Sequence, residues 1–132
     1  MSVSSFNKTT RQVVHGTVNA CLSPLVSLHL KHIVTIEGLG NCASPHPVQL
    51  AVAEGGGSQC GFCTPGIVMS LYEIMRHGNA SQEEIEEGLD GNLCRCTGYR
   101  PILEGAKKVL SFLWLIASLR VARHHAMAIS KI

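Results

Sequence analysis

Two close pairs of cysteines carry most of the chemistry open to this 132-residue chain: Cys60-x2-Cys63 and, after thirty intervening residues, Cys94-x-Cys96. A turn that presents two sulfurs in one direction can meet a second such turn at a single site. Four thiolates suit either a tetrahedral zinc ion or a [2Fe–2S] cluster, and spacing alone leaves the two level. Gly61, Gly66, Gly91 and Gly98 surround the pairs and permit tight backbone there. Each pair stands just before an expected helix start, where free N–H groups and the positive end of the macrodipole favour anionic sulfur.

Other uses of these cysteines fit less well. Cys60-Gly-Phe-Cys63 resembles a thioredoxin-type redox pair, but it follows Gly-Gly-Gly-Ser-Gln where that fold needs a buried strand, and it leaves Cys94 and Cys96 unexplained. A plant-type ferredoxin site would need a cysteine at position 55, which is Gly55. A Rieske centre needs histidines beside the cysteines, and neither pair has one. Four unrelated buried cysteines would not explain two pairs flanked by glycines.

Helices must position the two turns. Val48, Ala51 and Val52 share a helical face that ends at Gly55-Gly56-Gly57. A second helix is expected with Thr64 as N-cap and Pro65 in its first turn, with apolar positions Ile67, Val68, Leu71, Ile74 and Met75 and a stop at Gly78. Ser81 and Glu84 form a capping box for a third, short helix carrying Ile85 and Leu89. A fourth begins near Pro101 and repeats the apolar spacing through Ile102, Leu103, Ala106, Val109 and Leu110. Ahead of them, residues 11–18 and 33–36 read as short strands, with a turn and a further strand between them. Gly38, Gly40, Asn41, Ser44, Pro45 and Pro47 mark a boundary loop.

Composition narrows the setting. An apolar fraction of 45% argues for a packed globular chain, and 5% aromatics leave the core to aliphatic residues. A net charge of +2 points to neither nucleic acid nor an anionic membrane as partner. The acidic run Glu83, Glu84, Glu86, Glu87 and Asp90 and the basic Lys107, Lys108, Arg120, Arg123 and Lys131 read as solvated helix faces. The first ten residues lack the apolar core of a secretory signal, and the apolar run from Val109 to Ala117 is far short of the roughly 20 residues of a membrane span. The expectation is a cytoplasmic chain, whose six cysteines serve metal or redox chemistry more readily than disulfides.

Longer stretches around the cysteines carry a family resemblance. Gln59-Cys60-Gly-Phe-Cys63-Thr-Pro-Gly66 and Gly91-Asn-Leu-Cys94-Arg-Cys96-Thr-Gly-Tyr-Arg-Pro101 resemble the paired signatures of the molybdenum hydroxylases, the family of xanthine dehydrogenase and aldehyde oxidase. Val18-Asn-Ala-Cys21-Leu and Thr35-Ile-Glu-Gly-Leu-Gly40 are similar to that family's preceding segment, so the resemblance runs from about Thr9 to Val109. It implies iron–sulfur rather than zinc, with Cys60, Cys63, Cys94 and Cys96 as ligands of one [2Fe–2S] cluster. It implies a mainly α fold: a four-helix [2Fe–2S]-binding domain over residues 46–110, preceded by a partial β-grasp ferredoxin-like segment over 1–41 and followed by a divergent tail over 111–132. The family passes electrons from a molybdenum–pterin centre through two clusters to FAD. By the same match Gln59 and Cys96 touch the pterin, and molybdopterin and FAD belong to partner domains or subunits.

Departures from the pattern limit what is expected. Cys21 matches only the fourth ligand of the family's first cluster, so that cluster is expected to be absent and Cys21 to be a small buried residue at a strand end. Cys42 matches no ligand and reads as a free thiol. Residues 11–40 are expected to form an incomplete, poorly supported β element with exposed edges. No molybdenum or flavin segment is recognised, so the chain reads as a small subunit or a truncated hydroxylase. A non-catalytic fragment binding zinc, or no metal, is the alternative. The apolar run after Ser111 is expected to extend the last helix. His15, His29, His32, His46, His77, His124 and His125 are expected in surface or capping roles.

Overall fold

The computed structural model describes residues 1–78 and 80–109. The tail expected over 111–132 lies outside them. The first element, β1 (Ser2–Asn7), has no counterpart among the sequence-based expectations. It is nevertheless the central strand of a three-stranded antiparallel sheet, with β2 (Gln12–Thr17) on one side and β3 (His32–Val34) on the other. Ser2 pairs with Thr17 across one ladder and with Val34 across the other. Its inward positions are serines, which is why apolar alternation does not reveal it. Ser2 is fully buried and its Oγ donates to Glu73 Oε2 at 2.5 Å, while Ser4 Oγ bonds His15 Nδ1 at 2.7 Å. A buried hydroxyl with a partner costs little, whereas one without would cost about 1–3 kcal/mol.

The β element is therefore better supported than expected, because β1 and β2 rest on a helix of the following region. Exposed apolar side chains remain on it, Phe6, Val13 and Val14. The segment expected as a turn and strand is a single 3₁₀ turn, Leu25–Leu28, led by Pro24, whose carbonyl accepts from Ser27 Oγ at 2.7 Å. Proline at that point removes a ladder donor and favours a turn. A one-turn helix α1 (Ile36–Leu39) then leads into the boundary loop, and Ile36 and Leu39 pack on the main core.

Four helices follow among the described residues: α2 (Pro47–Glu54), α3 (Thr64–Arg76), α4 (Gln82–Gly88) and α5, described over 100–109. Their faces are those read from the periodicity. Val48, Ala51 and Val52 of α2 are buried, as are Ile67, Val68 and Leu71 of α3, Ile85 of α4 and Ile102 and Ala106 of α5. Leu71, Ile74, Ala106 and Val109 line one shared void of about 10 Å³, barely room for a water molecule. Each large aliphatic side chain so buried is worth about 1.5–3 kcal/mol. The acidic residues of α4 lie on its exposed face, as expected of a solvated run.

Caps hold the helix starts. Ser81 and Glu84 form the expected capping box of α4. His46 makes an equivalent box for α2, its Nδ1 accepting from Val48 N at 3.2 Å while Gln49 Oε1 accepts from His46 N at 2.8 Å. For α3 the expected cap is displaced by one residue. Cys63, not Thr64, is the N-cap, with φ −85° and ψ −15°, because its carbonyl already accepts from Ile67 N at 3.1 Å. Thr64 Oγ1 bonds Ser58 Oγ instead, at 2.8 Å.

Candidate metal centre

Helices α2 and α5 bring the two cysteine turns together. Cys60 and Cys63 lie between α2 and α3, and Cys94 and Cys96 lie between α4 and α5. The backbones of α2 and α5 nearly touch. A Cβ on Gly105 would stand 2.5 Å from Ala51 O, and one on Gly55 would stand 3.0 Å from Pro101 O. Nothing larger than hydrogen fits between them, so the end of one helix and the start of the other are held in a single arrangement. Within the first turn Gly61 adopts φ +85°, a conformation open mainly to glycine. A side chain on Gly66 would meet Asn92 Oδ1 at 2.8 Å, and Asn92 Nδ2 donates to Ser70 Oγ of α3 at 2.9 Å. That pair of contacts ties the second turn to the helix that follows the first.

The second turn is built around Tyr99. Its backbone is left-handed at φ +68°, which costs a non-glycine residue roughly 1–3 kcal/mol. Three hydrogen bonds offset the strain. The phenol accepts from Cys94 N at 2.8 Å and donates to Asn92 O at 3.0 Å, and Tyr99 N donates to Thr97 Oγ1 at 3.2 Å. Thr97 Oγ1 in turn lies 3.0 Å from Cys94 Sγ. Sequence periodicity holds no signal for a tyrosine at positive φ, and this network was not anticipated.

The thiols of the two turns act on one another, and Cys94 also acts on Cys60 and Cys96. Cys60 interacts with Cys96, and Cys63 with Cys94. Among the described residues no group of three or more His, Cys, Asp or Glu side chains is arranged to hold a single ion. The four thiols differ in acidity for local reasons. The Thr97 hydroxyl, with the Thr97 and Cys96 amides, draws Cys94 down to about 7. The Phe62 amide and then the Cys96 thiol lower Cys60. Burial raises Cys63, and the adjoining Cys60 raises Cys96. Cys60 and Cys96 are exposed, whereas Cys63 and Cys94 are half-buried. Gln59 is exposed beside them.

Comparison with known proteins agrees with this geometry. Residues 35–107 match the model of the [2Fe-2S] binding domain. The chain belongs to the [2Fe-2S] binding domain family. The chain is 54% identical over 110 residues to a xanthine dehydrogenase of Emericella nidulans, covering 83% of the chain and 8% of that protein. It is likewise 54% identical over 104 residues to the xanthine dehydrogenase/oxidase of Mus musculus, covering 78% of the chain and 8% of the relative. Its fold superimposes on the aldehyde oxidoreductase of Desulfovibrio gigas with a TM-score of 0.69 and 33% identity, over 73% of this chain and 11% of that one. Quinoline 2-oxidoreductase of Pseudomonas putida gives a TM-score of 0.64 at 33% identity, over 71% of this chain and 60% of that one. The chain thus spans about 8% of the length of the curated relatives it matches.

The remaining cysteines stand apart. Cys21 is exposed rather than buried, in a turn where its N–H is held by Asn19 Oδ1 at 3.1 Å, so the expected strand-end packing is not observed. The strand stops before it, and an asparagine-led turn carries it outward. Cys42 is an exposed free thiol. His46 caps α2, His77 closes the C-terminal end of α3, and His15 bonds Ser4 and approaches Arg76 Nη2 at 3.3 Å. No helix among the described residues is long and apolar enough to cross a membrane.

Proposed function

We propose that this chain is the [2Fe–2S] electron-transfer module of a molybdenum hydroxylase of the xanthine dehydrogenase and aldehyde oxidoreductase kind, with Cys60, Cys63, Cys94 and Cys96 as the ligands. The observation that carries the reading is that the four thiols of the two turns act on one another, within a stretch whose residues 35–107 match the [2Fe-2S] binding domain. A tetrahedral zinc site draws four sulfurs around one centre at about 2.3 Å, whereas a two-iron cluster takes two thiolates at each of two centres. Cys60 beside Cys96 and Cys63 beside Cys94, with Cys94 also acting on Cys60 and Cys96, put thiols from both turns within reach of such a cluster. The donor set is all thiolate, and the lowered titration of Cys60 and Cys94 favours its ligating form.

When bound, the cluster supplies a reversible one-electron carrier, which in the assembled protein would stand between a molybdenum–pterin centre and FAD held by partner domains or subunits. The chain's own part is to fix the sulfurs. Gly55 and Gly105 set the separation of the two turns, Tyr99 and Asn92 shape the second, and Cys63 begins α3. Gln59 and Cys96, both exposed, would face the pterin. Residues 46–110 form the module in this reading, and 1–41 its ferredoxin-like companion.

Protein purified without oxygen should contain two irons and two acid-labile sulfides per chain and show the visible absorption of such a cluster. It should accept one electron and oxidise no purine or aldehyde unaided. Cys94→Ser should abolish normal cluster assembly. One zinc per chain in place of iron, or full iron in Cys94→Ser, would overturn the assignment.

A further inference from the structure

The iron–sulfur reading uses the four sulfurs but leaves unexplained why a tyrosine is held at φ +68° beside them. Its phenol and its backbone N–H both lead to Cys94. Thr97 Oγ1 lies 3.0 Å from Cys94 Sγ and accepts from Tyr99 N at 3.2 Å. A hydroxyl has one proton. With an N–H already filling an acceptor position on the oxygen, that proton is free to be donated to sulfur. A ligating cysteine is a thiolate and can only accept, so the direction of the bond is settled as Thr97 O–H to Cys94 Sγ. The Tyr99 phenol meanwhile grips the peptide groups on both sides of Leu93, accepting from Cys94 N at 2.8 Å and donating to Asn92 O at 3.0 Å. The sulfur and the hydroxyl that faces it are thus fixed by one residue.

We infer that Thr97 raises the reduction potential of the site by donating a hydrogen bond to Cys94, and that Tyr99 is the positioning residue that keeps this donor on the sulfur. The inference rests on Cys94 being a cluster ligand. Reduction adds one negative charge to the site, and a charge-assisted donor on a ligand sulfur stabilises the more negative state. Hydrogen bonds to sulfur are among the levers that set such potentials.

The test is a mediated titration of the anaerobically purified holo-domain with dithionite as the electron donor, alongside iron and sulfide counts. Thr97→Val keeps the shape and removes the proton. It should lower the reduced-to-oxidised ratio about tenfold at a fixed potential, a downward shift of about 59 mV for one electron. Thr97→Ser should restore the wild-type value, which a merely structural role for the threonine methyl would not do. Tyr99→Phe keeps the Thr97 hydroxyl and the N–H that bonds it but releases the two peptide groups that place Cys94, and it should lower the potential by less. A fully loaded Thr97→Val protein with an unchanged potential would overturn the inference. Should that variant fail to take up iron, Thr97→Ala decides: a loaded protein with an unchanged potential overturns the inference equally, while an unchanged potential in Tyr99→Phe would remove the positioning role of Tyr99. Failure of the wild-type chain to bind two irons and two sulfides would instead sink the iron–sulfur reading itself.

Discussion

Replacing Gly105 with alanine sets two known effects against each other. In a helix interior alanine is favoured over glycine by about 1 kcal/mol, so α5 taken alone would gain. The structure says the opposite effect prevails. The new methyl would lie 2.5 Å from the carbonyl oxygen of Ala51 and 3.2 Å from its carbon, both backbone atoms of α2. No rotamer can relieve such a clash, and the same carbonyl already accepts from Gly55 N at 2.9 Å. The helices must therefore part by roughly 1 Å, and overpacking of this kind costs typically 1–3 kcal/mol. The net loss is up to about 2 kcal/mol, which for a domain of this size lowers the thermal midpoint by up to about 15 °C. Circular dichroism melts of the wild type and Gly105→Ala, each with its metal content measured, give the number. Gly16→Ala in β2, where nothing lies within 4 Å of the added methyl, is the matched control and should melt near the wild type. A midpoint that rose in Gly105→Ala would mean that α2 and α5 do not touch. The mechanism by which the two cysteine turns are held together would then be wrong.

Cys21→Ser should leave the iron content unchanged, since Cys21 sits exposed in a turn away from the paired sulfurs; a drop by half would reveal a second cluster. In the metal-free chain, Cys94 should alkylate with a midpoint near pH 7, its thiolate persisting to lower pH than that of Cys63 or Cys96, as site-resolved mass spectrometry of iodoacetamide labelling can show; four equal midpoints would contradict this. His46 caps α2 through Nδ1 only while that nitrogen is unprotonated, and burial depresses its titration below 6.5. Its contribution is therefore complete above about pH 6.5 and lost as pH falls through the depressed value. The stability difference between wild type and His46→Asn should change across that interval and stay flat above it.

Much of the helical region was legible because apolar spacing, capping boxes and glycine stops all point the same way, as at Ser81-Glu84 and Gly78. The meeting of the two cysteine turns was legible for a different reason, since two close pairs flanked by glycines leave the backbone few ways to run. The parts that were not legible depend on tertiary partners. β1 hides its buried face behind serines that make sense only once Glu73 and His15 stand opposite them. The shift of the α3 cap from Thr64 to Cys63 follows from a carbonyl bond, not from any side-chain preference. Gly105 looks in sequence like a weak helix position, and only Ala51 reveals why nothing larger is tolerated. Thr97 and Tyr99 lie inside the quoted signature, yet their roles require a backbone angle that no periodicity encodes.

Two of the four sulfurs belong to exposed residues, Cys60 and Cys96, and the neighbouring Phe62 and Leu93 are 94% and 84% exposed. Close approach by an electron carrier and close approach by dioxygen or a chelator use the same opening. A bound cluster would consequently be short-lived in air in the isolated chain, and its bleaching rate would report how much of that opening is covered. Any protein surface that shields Phe62 and Leu93 should slow the bleaching, so the decay of colour becomes a direct assay for docking on this face.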